Sequence, residues 1–257
     1  IREMIKMIYP KKPLFPPSWR MMICIPSSIT EVEKRAVRDS AEQAGAKEVY
    51  LIHEPMAAAL GIGIDVEEPV GNLIIDIGGG TTGITVIALA GIVCDQSIRI
   101  AGDEFTADIM EALRRYHSLL IGERTAEQIK IQIGAALKDL DNPPDDIPVN
   151  GRDLVTGIPK QILVSYQEIA EALDKSIFKI EEAILKALET TPPELAGDIY
   201  RRGLYLTGGG ALLRGLDKRL SQKIKLPVHI ADDPLKSVVR GTGISLKNYD
   251  RYPFVMR

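Results

Sequence analysis

Residues 72–89, NLIIDIGGGTTGITVIAL, place an aspartate and three consecutive glycines between two runs of β-branched and aliphatic residues. The runs read as strands, so Asp76 closes the first and Gly78, Gly79 and Gly80 form the turn into the second. Consecutive glycines let several backbone N–H groups converge on an anion, a nest suited to phosphate oxygens. A strand follows this turn, not a helix, and there is no G-K-[ST]. Neither the P-loop nor the dinucleotide-binding fingerprint therefore fits. A carboxylate at the strand end would repel phosphates unless a hard cation lay between them, which points to Mg²⁺ held by Asp76 through water. Thr81 and Thr82 add hydroxyls at the same turn. The plain alternative is a structural turn whose glycines satisfy positive φ.

A second cluster, LYLTGGGALLRG at 204–215, runs from a strand through Gly208, Gly209 and Gly210 into residues that read as a helix start. That order would aim N–H groups and a positive helix end at an anion. Two such loops in one chain suggest two walls of one nucleotide pocket.

The rest of the chain bounds the reading. Its 257 residues are 45% hydrophobic and 26% charged, with a formal charge of -3, as in a globular protein with one large core or two smaller ones. Slight acidity argues against nucleic acid as a partner. Cys24 and Cys94 lie in apolar runs and read as reduced, buried thiols; the three histidines are scattered and no metal-ligand spacing occurs. No apolar run approaches the ~18 residues that span a bilayer, and no signal peptide is legible. IREMIKMIYP reads as the end of a helix with Ile1, Met4, Ile5 and Ile8 on one face, so an upstream segment is expected.

From residue 20 to about 61 the pattern is strand, helix, strand, helix, which predicts an α/β layer. Thr30 and Glu33 fit a capping box, Gly45 a helix stop, and Pro55 a first helical turn. EEPVGN reads as a linker into a second unit. There, GIVCDQSIRI reads as a strand pair, and GDEFTADIMEALRRYHSLL and ERTAEQIKIQIGAALKDL as helices. Residues 147–165 read as a hairpin region with Asn150-Gly151 among its turn signals. Ser165 and Glu168 fit a capping box for a long helix. A short helix (PPELAGDIYRRG), a helix over ALLRGLDKRLSQKI, a strand (LPVHIAD) and a final helical segment (PLKSVVRGTGISLKN) follow.

Taken together, DIGGGTT, HEPMAAALGIG, GDEF, IGERTAEQIK, GRDLVTGIPK, TPPELAGDI, LTGGGALLRGLD and DPLKSVVRGTG resemble the MreB family of bacterial actins, from about Arg20 to Gly243. This family belongs to the superfamily of actins, heat-shock chaperone ATPases and sugar kinases. The resemblance implies an α/β, actin-like two-lobed ATPase fold with ribonuclease H-like lobes, N-terminally incomplete in this chain, with ATP and Mg²⁺ between the lobes. Residues 1–68 would form part of the first lobe, completed by 237–257. Residues 69–104 and 169–236 would form the core of the second lobe, with 105–168 a small subdomain inserted in it.

The resemblance also implies roles. Asp76 matches the aspartate of the second phosphate loop, and Gly78 to Thr81 its backbone cradle. Glu54 matches the residue that orients the attacking water, with Thr81 as its helper. Glu127 and Lys130 match adenine and ribose contacts, where spacing alone gives an i,i+3 ion pair. Gly208, Gly209, Gly210 and Ala211 would complete the adenosine and phosphate wall. The family's first phosphate loop is expected upstream of Ile1, so ATP hydrolysis is expected of the intact protein and not of this fragment alone. Gly83 stands where the family usually has an acidic residue, which predicts a changed surface contact.

YPKKPLFPPSWR at 9–20 sets Leu14, Phe15 and Trp19 in a Pro-rich basic loop suited to a lipid interface. In the family, an apolar loop at this place enters the inner leaflet; packing on a neighbouring subdomain is the alternative. The implied protein polymerises into filaments at the inner face of the cytoplasmic membrane. It would be cytoplasmic and peripheral, controlling rod shape and cell-wall synthesis with cell-wall elongation and membrane-anchoring proteins. The rival readings are a non-polymerising ATPase or kinase of the same superfamily and a paralogue that binds nucleotide without turning it over.

Overall fold

The computed structural model describes residues 2–8 and 19–257. In chain order they form helix α1 (Arg2–Ile8), strand β1 (Trp19–Ile25), helix α2 (Glu31–Gln43), strand β2 (Ala46–His53) and helix α3 (Glu54–Gly61). Strands β3 (Asn72–Ile77), β4 (Thr82–Ala88) and β5 (Gly91–Ile98) come next, then α4 (Gly102–His117), β6 (Leu119–Leu120) and α5 (Glu123–Ile133). The order continues with β7 (Ile147–Asp153), β8 (Pro159–Val164), α6 (Tyr166–Glu189), α7 (Pro193–Arg202) and β9 (Leu204–Thr207). It ends with α8 (Leu216–Ile224), β10 (Val228–Ile230) and α9 (Ser237–Lys247). Two units result: Ile1–Pro69, Ala88–Ile92 and Lys236–Arg257 in the first, Val70–Ile87 and Val93–Leu235 in the second. No helix among the described residues is long and apolar enough to cross a membrane.

In the first unit β1 and β2 pair in parallel. The expected burial of β1 is reached only at Ile25, because this sheet has two strands and covers little of each face. The capping box of α2 is complete: Thr30 accepts from the Glu33 N–H, and Glu33 reaches back to the Thr30 N–H at 2.9 Å. Small residues let α3 and α9 touch backbone to backbone. A Cβ at Gly61 would lie 1.8 Å from the Ser237 carbonyl oxygen, and one at Gly241 1.8 Å from that of Ala57.

The turn joining β4 to β5 is unusual. Leu89 and Ala90 have φ of 50° and 56°, a left-handed conformation that costs a non-glycine residue about 1–2 kcal/mol. Two hydrogen bonds hold it there, from Leu89 N–H to Glu68 O at 3.0 Å and from Ala90 N–H to Val66 O at 2.6 Å. Ala90→Gly removes the steric part of that cost while adding entropy to the unfolded chain. We expect a net gain of about 0.5–1 kcal/mol, read as a higher urea midpoint at unchanged slope.

The second unit is built on a five-stranded sheet in the order β10-β9-β3-β4-β5, with β9 parallel to both β3 and β10, and β3 antiparallel to β4. GIVCDQSIRI forms a single strand, not the expected pair. Its polar Asp95 stays within β5 by accepting the Thr85 hydroxyl at 2.8 Å. A second sheet has the order β6-β7-β8. Asn150-Gly151 lies inside β7 instead of turning. A Cβ at Gly151 would come within 2.6 Å of Leu120 O, so glycine here serves the approach of β6. The turn falls at 154–158, where the Asp153 carboxylate caps the N–H groups of Val155 and Thr156 and Gly157 has φ +77°.

Helix α5 stops at Ile133, short of the expected GAALKDL, because Ala135 bridges to Arg214 and the Ala136 N–H donates to Arg214 O at 2.8 Å. Of the Ser165 capping box only the half from the Glu168 N–H forms; the Glu168 carboxylate pairs with His117 instead. One apolar core joins β3, β4 and β9 to α4, α5 and α6 through Ile75, Ile84, Leu206, Ile109, Ile129 and Ile177.

Candidate functional site

The register sets Asp76 of β3 beside Thr207 of β9, so the two glycine loops leave the carboxyl ends of neighbouring parallel strands. Ligands of open α/β sheets gather at such ends. In the first loop, the Gly78 N–H donates to Thr81 O at 3.0 Å. None of Gly78, Gly79 and Gly80 has positive φ, so conformation is not what requires glycine here. Nor does crowding: a Cβ at Gly79 would find Asp103 Oδ1 at 3.5 Å, and one at Gly80 would find Asp103 Oδ2 at 3.7 Å, ordinary contact distances. Residues 79 to 81 are exposed, and their N–H groups donate to no acceptor among the described residues. The protein leaves a bare, donor-rich edge at this turn.

Helix α4 fixes that edge from behind. The Gly102 N–H donates to Gly78 O at 3.1 Å and the Asp103 N–H to Gly79 O at 2.7 Å. The first N–H groups of α4 are thus taken up by the turn's carbonyls, which leaves the N–H side of the turn facing outward. From the side, Gly208 has φ +80°, and a Cβ there would lie 2.4 Å from both Asp76 Oδ1 and Ile77 O. A Cβ at Gly210 would lie 2.2 Å from Ile77 Cγ2. These two glycines therefore exist to admit β3.

The helix expected directly after the second triplet is absent. Gly209–Leu212 makes one 3₁₀ turn, Leu213 is extended, and α8 begins at Leu216 after a left-handed Gly215. The bridge of Arg214 to Ala135 pulls the chain straight, so the positive end of α8 does not meet the triplet. Ala211 is buried.

Burial raises the Asp76 carboxyl above its ordinary pKa, and the Thr207 hydroxyl beside it works in the opposite direction. That hydroxyl is itself buried without a full hydrogen bond. No cationic side chain among the described residues pairs with Asp76, so a carboxylate here lacks compensation from the protein. A hydrated divalent cation fits such a position, since Mg²⁺ keeps most of its waters and needs only one or two carboxylates. The sequence reading missed Asp103 as a second carboxylate at this turn, although GDEF drew notice as a motif. Thr82 is buried and donates to Ile100 O at 2.6 Å, so its hydroxyl serves the fold; that of Thr81 is exposed. Gly83 faces Asp76 across the β3–β4 ladder with open space around it. A side chain at 83 would therefore stand across the ladder from Asp76.

Glu127 and Lys130 are more than an exposed pair. The Lys130 side chain is only 14% exposed, and Nζ donates to Glu127 Oε2 at 2.6 Å, Gly102 O at 2.7 Å and Thr106 Oγ1 at 3.0 Å. All three ammonium protons are engaged. Burial pushes the Glu127 carboxyl up, but the Lys130 ammonium and Thr106 hydroxyl outweigh it and hold the pKa below its usual value. An open groove of about 610 Å³ runs along Asp103, Thr106, Met110 and Glu127. Gly102 and Thr106, which join this pair to the turn, carry no spacing signal in the sequence.

Glu54 opens α3 in the first unit, immediately before Pro55. Leu14 and Phe15 lie outside the described residues. Trp19 is half-buried and begins β1, with its ring 3.8 Å from where a Gly45 Cβ would sit.

Comparison with known proteins finds relatives along nearly the whole chain. The family model described as MreB/Mbl protein matches residues 1–253. Cell shape-determining protein Mbl of Bacillus subtilis (strain 168) is 47% identical over 234 residues, covering 91% of this chain and 70% of that protein. Cell shape-determining protein MreB of Escherichia coli (strain K12) is 48% identical over 239 residues, covering 92% and 67%. The crystal structure of MreB5 of Spiroplasma citri bound to AMPPNP superposes with a TM-score of 0.92 at 39% identity, over 97% of this chain and 75% of that one.

Proposed function

The chain belongs to the MreB/Mbl family of actin-like cytoskeletal proteins, and from that premise we propose that it binds ATP with Mg²⁺ at the glycine turn and assembles into filaments that control cell shape. The observation that carries this reading is the turn at 78–81, pinned by its carbonyls, with its N–H edge bare beside a half-buried Asp76. The related MreB5, whose structure holds AMPPNP, supports it. The N–H groups of Gly79, Gly80 and Thr81 would receive phosphate oxygens, and Asp76 would hold the hydrated Mg²⁺. Mg²⁺ would neutralise charge on the terminal phosphates, the main requirement of phosphoryl transfer besides positioning. Glu127, with a free carboxylate oxygen, is the better placed of the α5 pair to reach the ribose, and Gly208 to Ala211 would flank the adenosine. Glu54 is assigned the attacking water in this reading.

Repeated head-to-tail contacts between identical subunits yield an open filament. A cytoplasmic site at the inner membrane face, with Leu14, Phe15 and Trp19 at the lipid and cell-wall elongation and anchoring proteins as partners, belongs to the same reading. So does the subdivision of the second unit around a small subdomain at 105–168.

Sedimentation with and without ATP, together with phosphate release, tests the proposal. We expect ATP-dependent pelleting, and Glu54→Ala to lower phosphate release by about a hundredfold or more while ATP still binds. Phosphate release without polymer would favour the non-polymerising alternative, and no ATP binding at all would end the proposal.

A further inference from the structure

Thr106 lies on the second turn of α4 and is buried, yet three polar groups surround its hydroxyl. Oγ1 is 3.0 Å from Gly102 O and 2.9 Å from Glu127 Oε2, and it accepts from Lys130 Nζ at 3.0 Å. A hydroxyl has one proton, so it serves one of the two acceptors at a time. Gly102 O also accepts from Lys130 at 2.7 Å. The Gly102 carbonyl and the Asp103 N–H are the two ends of one peptide group. Hydrogen bonds to the carbonyl end polarise the peptide and strengthen what its N–H end donates. That N–H makes the 2.7 Å bond to Gly79 O, at the short end of the range for backbone bonds.

We propose that Thr106 is a positioning residue: with Lys130 it holds the Gly102–Asp103 peptide polarised against Gly79 and so fixes the glycine turn. This gives α5 a route to the phosphate-facing edge without any ligand contact of its own, from Lys130 and Glu127 through Thr106 and the Gly102–Asp103 peptide to Gly79. The inference rests on the nucleotide reading for its functional meaning.

Amide hydrogen exchange on the ligand-free protein tests this separately from nucleotide binding. Thr106→Val keeps the shape and removes the hydroxyl; Thr106→Ser keeps the hydroxyl. In Thr106→Val we expect the Gly102 and Asp103 amides to exchange about five- to tenfold faster, the effect of losing one hydrogen bond from a local opening. Amides of β9 and the melting temperature should stay close to wild type, and Thr106→Ser should exchange like wild type. Unchanged Asp103 exchange in Thr106→Val, or equal acceleration in Thr106→Ser, overturns the proposal. ATP titration of the wild-type protein judges the nucleotide reading on its own: a protein that binds no ATP but shows the exchange pattern keeps the positioning role and loses the function assigned to the site.

Discussion

Asp76→Asn is expected to stabilise the ligand-free protein at neutral pH while weakening Mg²⁺-dependent nucleotide binding by about 10- to 100-fold. The stability half follows from the direction of the pKa shift. Burial raises the folded-state pKa of Asp76 above its unfolded value, so between the two the folded protein holds more protons than the unfolded one. Stability therefore falls as pH rises through that window, and the whole penalty persists above the folded pKa. Asparagine has no proton to lose and keeps a similar shape. The variant should melt a few degrees higher at pH 7 to 8, while near pH 3, where Asp76 is protonated in both states, the two proteins should converge. The binding half follows because the amide cannot balance a divalent cation. Calorimetric melting across pH, paired with nucleotide titration with and without Mg²⁺, reads both. A variant that melts lower at neutral pH with its Mg²⁺ dependence intact would remove Asp76 from the site.

The same residue marks where sequence could and could not reach. Its place at a strand end before a glycine turn is legible because runs of β-branched and aliphatic residues on either side of a glycine triplet are local signals. The Thr30 capping box is legible for the same reason, since both partners lie within one helical turn. What sets the turn's geometry is not local. Gly102 and Asp103 are 24 residues beyond the carbonyls they hold, and Lys130 reaches Gly102 only because α5 packs against α4. No spacing rule announces a lysine that bonds a backbone carbonyl.

Other errors have the same origin. ALLRGLDKRL has a helical pattern, but a bridge to Ala135, nearly 80 residues away, holds Arg214 extended and delays α8. Asn150-Gly151 carries a turn signature, but Gly151 is needed where Leu120 O approaches β7. Gly83 reads from sequence as a surface change, and only the register shows that it lies opposite Asp76. Local chemistry proposed the site, and long-range packing decided which atoms face it.

That distinction predicts opposite behaviour for two glycines in the two triplets. Gly208→Ala should be strongly destabilising, by about 3 kcal/mol, because two costs add. The residue sits at φ +80°, and the new methyl would lie 2.4 Å from Ile77 O and 2.7 Å from Ile77 C. Backbone atoms of a central strand cannot rotate away as a side chain would. The methyl would also press on Asp76 Oδ1 at 2.4 Å, so whatever folds should carry a displaced carboxylate. Gly80→Ala meets nothing nearer than Asp103 Oδ2 at 3.7 Å, so urea denaturation should find its stability within about 0.5 kcal/mol of wild type. Its methyl instead enters the edge assigned to phosphates, where we expect ATP affinity to fall by about tenfold or more. If Gly80→Ala binds ATP as wild type does, the triplet at 78–80 is only a turn. If Gly208→Ala folds as well as wild type, the close approach of the two strand ends is wrong, and with it the placement of Asp76 beside the second loop.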